Sequence, residues 1–193
     1  MDAGGGVLEV TNFVMPLGRH SVMHLAPEYG DQEVPDHLRA LALTYLDAAE
    51  RLCQQLADGS WAPNYHKGQV CMSLAFHATE LFLKGCIRSA SSGKVKNTHS
   101  LGELRLTFLS LFPSVAFELP FGSEPMPADP VLKEMERESD ATFDQQLRYP
   151  IDKSGSPWGG GRAFAPDLFL AELEKLRGDF ERISSLVVVR PAC

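Results

Sequence analysis

The chain lacks the marks of several protein classes, and each absence narrows what it can be. Its opening, MDAGGGVLEV, has no basic stretch followed by an apolar core, so no secretory leader is expected. Nowhere do 18 apolar residues run together, so no membrane span or membrane partner is expected, and the expected compartment is the cytoplasm. Only four cysteines occur, Cys53, Cys71, Cys86 and Cys193, with no CxxC pair among them. Three of these fall on apolar helical faces, where a free thiol behaves as a small hydrophobe, and a reducing environment fits best. There is no GxxxxGK[ST] loop, no GxSxG elbow and no evident Ser-His-Asp or nucleophilic cysteine setting. No segment of 20 to 50 residues repeats, so solenoids and propellers are excluded. Basic residues are outnumbered, with a net charge of −7, which argues against a protein that coats DNA.

What is present is dense helical patterning. A chain of 193 residues, 44% hydrophobic and 22% charged, can bury roughly 70% of its unfolded surface without disulfides or metals. The most informative stretch is Tyr65 to Ala90, YHKGQVCMSLAFHATELFLKGCIRSA. Placed on a helix at 100° per residue, Cys71, Met72, Leu74, Phe76, Leu81, Phe82, Leu83, Cys86 and Ile87 cover far more than the usual apolar stripe. Such a helix has to be surrounded by others. Its one polar seam carries Ser73, His77, Glu80, Lys84 and Arg88 along a single line.

Before it, Leu38, Leu41, Ala42, Tyr45, Leu46, Ala49, Leu52, Cys53 and Leu56 keep a helical rhythm that Gly59 closes. The linker with Trp61 and Pro63 is short enough to force the two helices antiparallel. After it, the polar run SSGKVKNT precedes Ser100 and Glu103, a capping-box pair opening a third helix through Leu101, Leu104, Phe108, Leu109 and Phe112. Four prolines in LPFGSEPMPADP exclude regular structure there. Asp129 and Pro130 then open a polar helix to about Arg148, with a thin stripe of Val131, Leu132, Met135, Phe143 and Leu147. YPIDKSGSPWGGGRAFA is a glycine-rich connection, and its segment Trp158 to Arg162, WGGGR, reads as flexible, with Trp158 and Phe164 pinning it to the bundle. Pro166 and Asp167 open a last helix expected to bury Leu168, Ala171, Leu173, Leu176, Phe180, Ile183 and Leu186. Within residues 1 to 34, Val7 to Val14 reads as a short strand and Ser21 to Ala26 as a helical turn. The expected fold is therefore all-α: an up-and-down antiparallel four-helix bundle with an additional short helix and an N-terminal extension. Its divisions are an extension at 1–34, a bundle at 35–187 and a tail at 188–193.

Charge is uneven along the chain. Lys84, Arg88, Lys94, Lys96 and Arg105 face a single acid, Glu103, over one stretch, whereas Glu118 to Asp144 is strongly acidic. Such asymmetry marks an anion site or a self-complementary interface, or else simply solvated helix faces. Lys84, Lys94, Lys96, His99 and Arg105 cluster around the start of the third helix, where free N–H groups and the helix dipole favour an anion. They are the candidate ligand-binding residues for a nucleotide or RNA phosphate, the alternative being a solvated basic loop. His77, Glu80 and Lys84 form either an acid–base set or a structural one, in which Glu80 is satisfied by its helical neighbours. His66, Cys71 and His77 stand five and six residues apart, which scatters them around the helix, so no metal is expected. No cofactor is expected either.

The first helix ending at Gly59, the core LAFHATELFLKGCI, the short basic loop and the element THSLGEL together resemble the HEPN family of small helical bundles. THSLGEL looks like the HxL element that opens that family's third helix. Arg148-Tyr149-Pro150 is similar to a tripeptide of HEPN relatives that accompany nucleotidyltransferases. The resemblance covers roughly residues 36 to 187. It implies an up-and-down bundle that commonly forms a homodimer and binds nucleotides or RNA, with a subset that cuts RNA through Arg-x4-6-His near the start of the last conserved helix. Neither Asp129 to Arg148 nor Pro166 to Leu186 contains a histidine. The spacing occurs only outside that place, as Arg19 and His24 in the extension, which makes these two the weak catalytic candidates. The expectation is thus a non-catalytic binding module with a nucleotide, RNA or protein partner. The alternatives are a metal-independent endoribonuclease and an antitoxin-like or immunity partner using the acidic stretch.

Overall fold

The computed structural model describes residues 34–91, 98–113, 130, 142–158 and 164–188. The expected strand, the turn at Ser21 to Ala26, the pair Arg19 and His24, Lys94, Lys96, the proline-rich stretch, most of the acidic stretch and Cys193 lie outside these residues. What is described is an all-α bundle. Helix α1 is Val34–Ala57, α2 is Tyr65–Ala90, α3 is Leu101–Leu111, and α5 is Pro166–Val188. Residues 142–148 are helical and are numbered α4.

Helix α1 buries Ala42, Leu46, Ala49, Cys53 and Leu56, a strict alternation of four- and three-residue steps that keeps one narrow stripe toward its neighbours. Leu41, one step off that stripe, is exposed, contrary to the sequence expectation. Gly59 ends the turn at φ +76°, the left-handed conformation that glycine adopts without steric cost. Asn64 then caps α2, its side-chain oxygen accepting from the Lys67 N–H at 2.9 Å. Lys67 also lies over the Trp61 ring, 4.2 Å from its centroid, and fixes the linker.

Contacts between distant residues set the directions. Tyr45 meets His77, and Arg39 reaches the far end of α2 near Gly85, so α1 and α2 run antiparallel. Arg177 bridges to Asp47 and Glu50, while the Cys53 thiol donates to the Pro166 carbonyl at 3.3 Å, so α5 is antiparallel to α1. Phe82 and Phe180 stack at 3.9 Å with rings 4° from parallel. Together with Phe164 resting on Gly68, this pair sets α5 parallel to α2. In α4, Phe143 packs edge-on against Phe76 at 5.5 Å, and Gln69 donates to the Gln146 carbonyl at 2.7 Å. That places α4 antiparallel to α2.

Helix α2 is buried on nearly every side, from Gly68 through Ile87. By length and composition it is apolar enough to cross a membrane, yet 67% of its apolar window is buried against the other helices, as in the core helix of a soluble protein. Gly68 is required by packing: a Cβ there would lie 2.6 Å from the Phe164 ring. Ser100 caps α3 as the pattern predicts, its hydroxyl accepting from the Glu103 N–H at 3.3 Å. Helix α5 corrects the sequence reading in three places. It buries Leu173, Leu176, Phe180, Ile183 and Val187, whereas Leu168, Ala171 and Leu186 face outward. Only one face meets α1 and α2, and those three residues lie off its stripe.

The flexible reading of Trp158 to Arg162 falls almost wholly outside the described residues, while the part of the connection before it is ordered by its own hydrogen bonds. Asp152 accepts from the N–H groups of Ser154 and Ser156 at 2.8 and 2.9 Å, and Ile151 pairs with Pro157 in an antiparallel bridge. A short side chain that bonds its own backbone gives residues 151–157 a defined tight turn. Trp158 pins it by donating to the Tyr149 carbonyl at 3.0 Å.

Candidate functional site

The polar seam of α2 becomes a site because three other elements close over it. Tyr45 of α1 stands edge-on to His77 with ring centroids 4.6 Å apart. His99, just ahead of the α3 cap, reaches Glu80 from a position 19 residues along the chain. From α4, Asp144 and Arg148 complete the wall.

Glu80 is the hub. Its side chain is 5% exposed, and a carboxylate so buried needs donors to stay ionised. Lys84 Nζ lies 2.7 Å from Oε1, His99 Nδ1 3.0 Å from the same oxygen, and His77 Nδ1 3.6 Å from Oε2. Burial alone pushes the carboxyl pKa up, but the three nitrogens together outweigh it and hold the group at about 2. Because a carboxylate only accepts, the His99 hydrogen bond makes its Nδ1 the donor and leaves its Nε2 as the second functional atom, while His77 Nδ1 faces the other oxygen at 3.6 Å. Asp144 is likewise buried and is paired with the Arg148 guanidinium, whose Nε also donates to the Asp144 carbonyl at 3.2 Å.

Around these groups lie two cavities. An inner one of about 260 Å³ is lined by Tyr45, Ser73, His77, Glu80, His99 and Arg148, among others. An outer one of about 590 Å³ is lined by His99, Arg148, Tyr149, Ile151, Asp152 and Lys153. His99, Asp144 and Arg148 belong to both, so the cavities adjoin. The charges of Glu80 and Asp144 are balanced by Lys84 and Arg148.

Two of the five candidate ligand residues, Lys84 and His99, therefore meet at one carboxylate. The structural reading of His77, Glu80 and Lys84 matches this arrangement, and His99 is the member it did not include. Arg105 is half-buried on α3 and lines neither cavity. His66 is exposed and Cys71 is buried, so these two do not converge on a common ligand position. Thiol chemistry is disfavoured as well: burial pushes Cys53 and Cys86 up to about 12 and Cys71 up to about 11. Sequence reasoning missed Tyr45, Asp144 and Lys153 as parts of the site. Arg148 and Tyr149 were visible only through the Arg-Tyr-Pro resemblance, since helical periodicity marks them as ordinary surface residues.

The arrangement can do two things chemically. It presents a guanidinium and an imidazole to an anion beside an aromatic ring, and it holds two imidazoles on one carboxylate, the geometry of proton exchange. No known protein family, curated protein or solved structure matches this chain.

Proposed function

We propose that this bundle is a HEPN-like, non-catalytic binding module whose ligand is the phosphate of a nucleotide or of RNA, and that it works as a homodimer. The observation that carries the reading is the meeting of His99 and Arg148 where the two cavities join. The acidic groups nearby are already engaged: Glu80 by Lys84, His77 and His99, Asp144 by Arg148, and Asp152 by the amides of its own turn. Arg148 spends Nε and Nη2 on Asp144, and the rest of its five N–H donors serve a ligand. Lys153 adds a further exposed cation at the outer rim. The homodimer is proposed on the ground of the sequence resemblance.

The test is fluorescence anisotropy of a labelled single-stranded RNA, with ATP as competitor, on the parent protein and Arg148→Ala. A charge-assisted contact of this kind is worth about 1.5–3 kcal/mol, so the substitution weakens binding roughly ten-fold or more. Absence of saturable binding to either ligand, or equal binding by Arg148→Ala, overturns the phosphate reading. Sedimentation of a monomer at tens of micromolar overturns the dimer.

One observation favours a second reading, metal-independent RNA cleavage: His77 and His99 share Glu80. One imidazole would take the proton of a ribose 2′-OH as it attacks phosphorus, the other would return a proton to the departing 5′-oxygen, and Arg148 would hold the phosphate. Labelled RNA incubated in EDTA separates the readings. Cleavage lost in His77→Ala and in His99→Ala supports it. Cleavage that survives both and is lost in Arg19→Ala or His24→Ala moves the chemistry to the N-terminal pair.

A further inference from the structure

The outer cavity carries a feature that a phosphate site does not need. Tyr149 is 55% exposed and Ile151 49% exposed, and both line the same concavity beside Arg148 and Lys153. Large apolar side chains singly exposed on a convex surface are ordinary, but a pair lining a cavity of about 590 Å³ is a binding surface for a flat apolar group. The backbone that carries the ring is also held in place. The Tyr149 N–H closes α4 on the Gln145 carbonyl at 2.8 Å, and the Tyr149 carbonyl accepts from the Trp158 indole at 3.0 Å. Beyond it, the Ile151–Pro157 bridge and the Asp152 turn fix the next residues. A platform fixed on both sides loses little entropy when a ligand settles on it. Finally, the Arg148 guanidinium lies 5.8 Å from the centre of the Tyr149 ring, so stacking surface and anion-binding group are neighbours.

We infer that Tyr149, with Ile151 beside it, is a base-stacking subsite, so that the chain recognises one nucleotide unit: a flat base on the Tyr149 ring and the adjoining phosphate on Arg148 and His99. This rests on the phosphate reading above and adds the chemistry of the rest of the ligand. Stacking accepts any base, so recognition is tolerant of base identity. The same unit occurs in a free nucleoside monophosphate and in single-stranded RNA, and the cavity has room for one nucleoside.

Calorimetric titration with AMP, ribose 5-phosphate and oligoadenylate tests the inference on the parent, Tyr149→Ala and Tyr149→Phe, each checked for native circular dichroism. The parent is expected to bind AMP roughly ten- to a hundred-fold tighter than ribose 5-phosphate. Tyr149→Ala is expected to erase that ratio, and Tyr149→Phe to keep it. A Tyr149 effect on AMP assigns the site to free nucleotides, and one on oligoadenylate alone assigns it to RNA; both support the subsite. Affinities for AMP and for oligoadenylate that both stay unchanged in Tyr149→Ala, with ribose 5-phosphate still bound, overturn the subsite and leave the phosphate reading standing. Failure of all three probes to bind overturns both.

Discussion

Replacing Glu80 by glutamine keeps the size of the side chain and removes its charge, which isolates what the carboxylate does for the bundle. Glu80 is enclosed by Lys84, His99 and His77 and almost wholly buried, so water screens these contacts little. Its folded-state pKa lies at about 2 against an ordinary 4.5. At about 1.4 kcal/mol per pH unit, that difference represents roughly 3 kcal/mol of stability above the ordinary value. Because the folded-state value is the lower one, ionisation favours the folded chain. The contribution is complete above about pH 5, declines as the pH falls below 4.5, and is exhausted near 2. About half remains at about pH 3. The assay is urea denaturation of the parent and Glu80→Gln at a series of pH values between 5 and 2.5. Subtracting the two curves cancels the titrating groups that do not touch Glu80. The expected difference is about 3 kcal/mol at the upper end and falls steadily toward the lower. A difference independent of pH over that interval would refute the account, since it would mean that shape or hydrogen bonding at position 80 matters and its charge does not.

Three further outcomes follow from the packing. Gly68→Ala should destabilise by about 1–3 kcal/mol through its clash with Phe164, although alanine is the better helix former. In a Phe164→Ala background the same change should become neutral or stabilising, and thermal denaturation of the four proteins reads this reversal. Arg177→Met should cost about 1–2 kcal/mol by removing the link from α5 to Asp47 and Glu50, with the loss shrinking in high salt. Ellman's reagent should leave Cys53, Cys71 and Cys86 unmodified in the native protein at pH 8 and react with all three in guanidinium, since burial keeps each thiol protonated and covered. Mapping the labelled peptides by mass spectrometry distinguishes these thiols from Cys193.

The helices were legible because their signals are local. The bounds of α2, the glycine stop after α1 and the Ser100 cap of α3 depend on residues within one or two turns of each other, and chain periodicity reports them directly. The wide apolar circumference of α2 likewise announced a central helix, because a surface helix cannot hide apolar groups on every side. Which outward position each neighbour takes was less legible. Leu168, Ala171 and Leu186 fit an apolar rhythm on α5, yet only the stripe through Leu173, Leu176, Phe180, Ile183 and Val187 meets α1 and α2. The turn at 151–157 was hidden for a different reason. Its composition reads as loop, and only the hydrogen bonds of Asp152 reveal its geometry.

From the sequence alone came the all-α class, the order of the helices and the polar seam of Ser73, His77, Glu80, Lys84 and Arg88. The cleft came only from the tertiary structure. Its members sit at positions 45, 77, 80, 99, 144 and 148, and no periodicity links residues on four separate elements. Packing decides which of them meet, because a charge on one helix selects its partner only after the helices have been brought together by their apolar faces. The buried carboxylate of Glu80 then has to find donors wherever the fold supplies them, and the fold supplies His99.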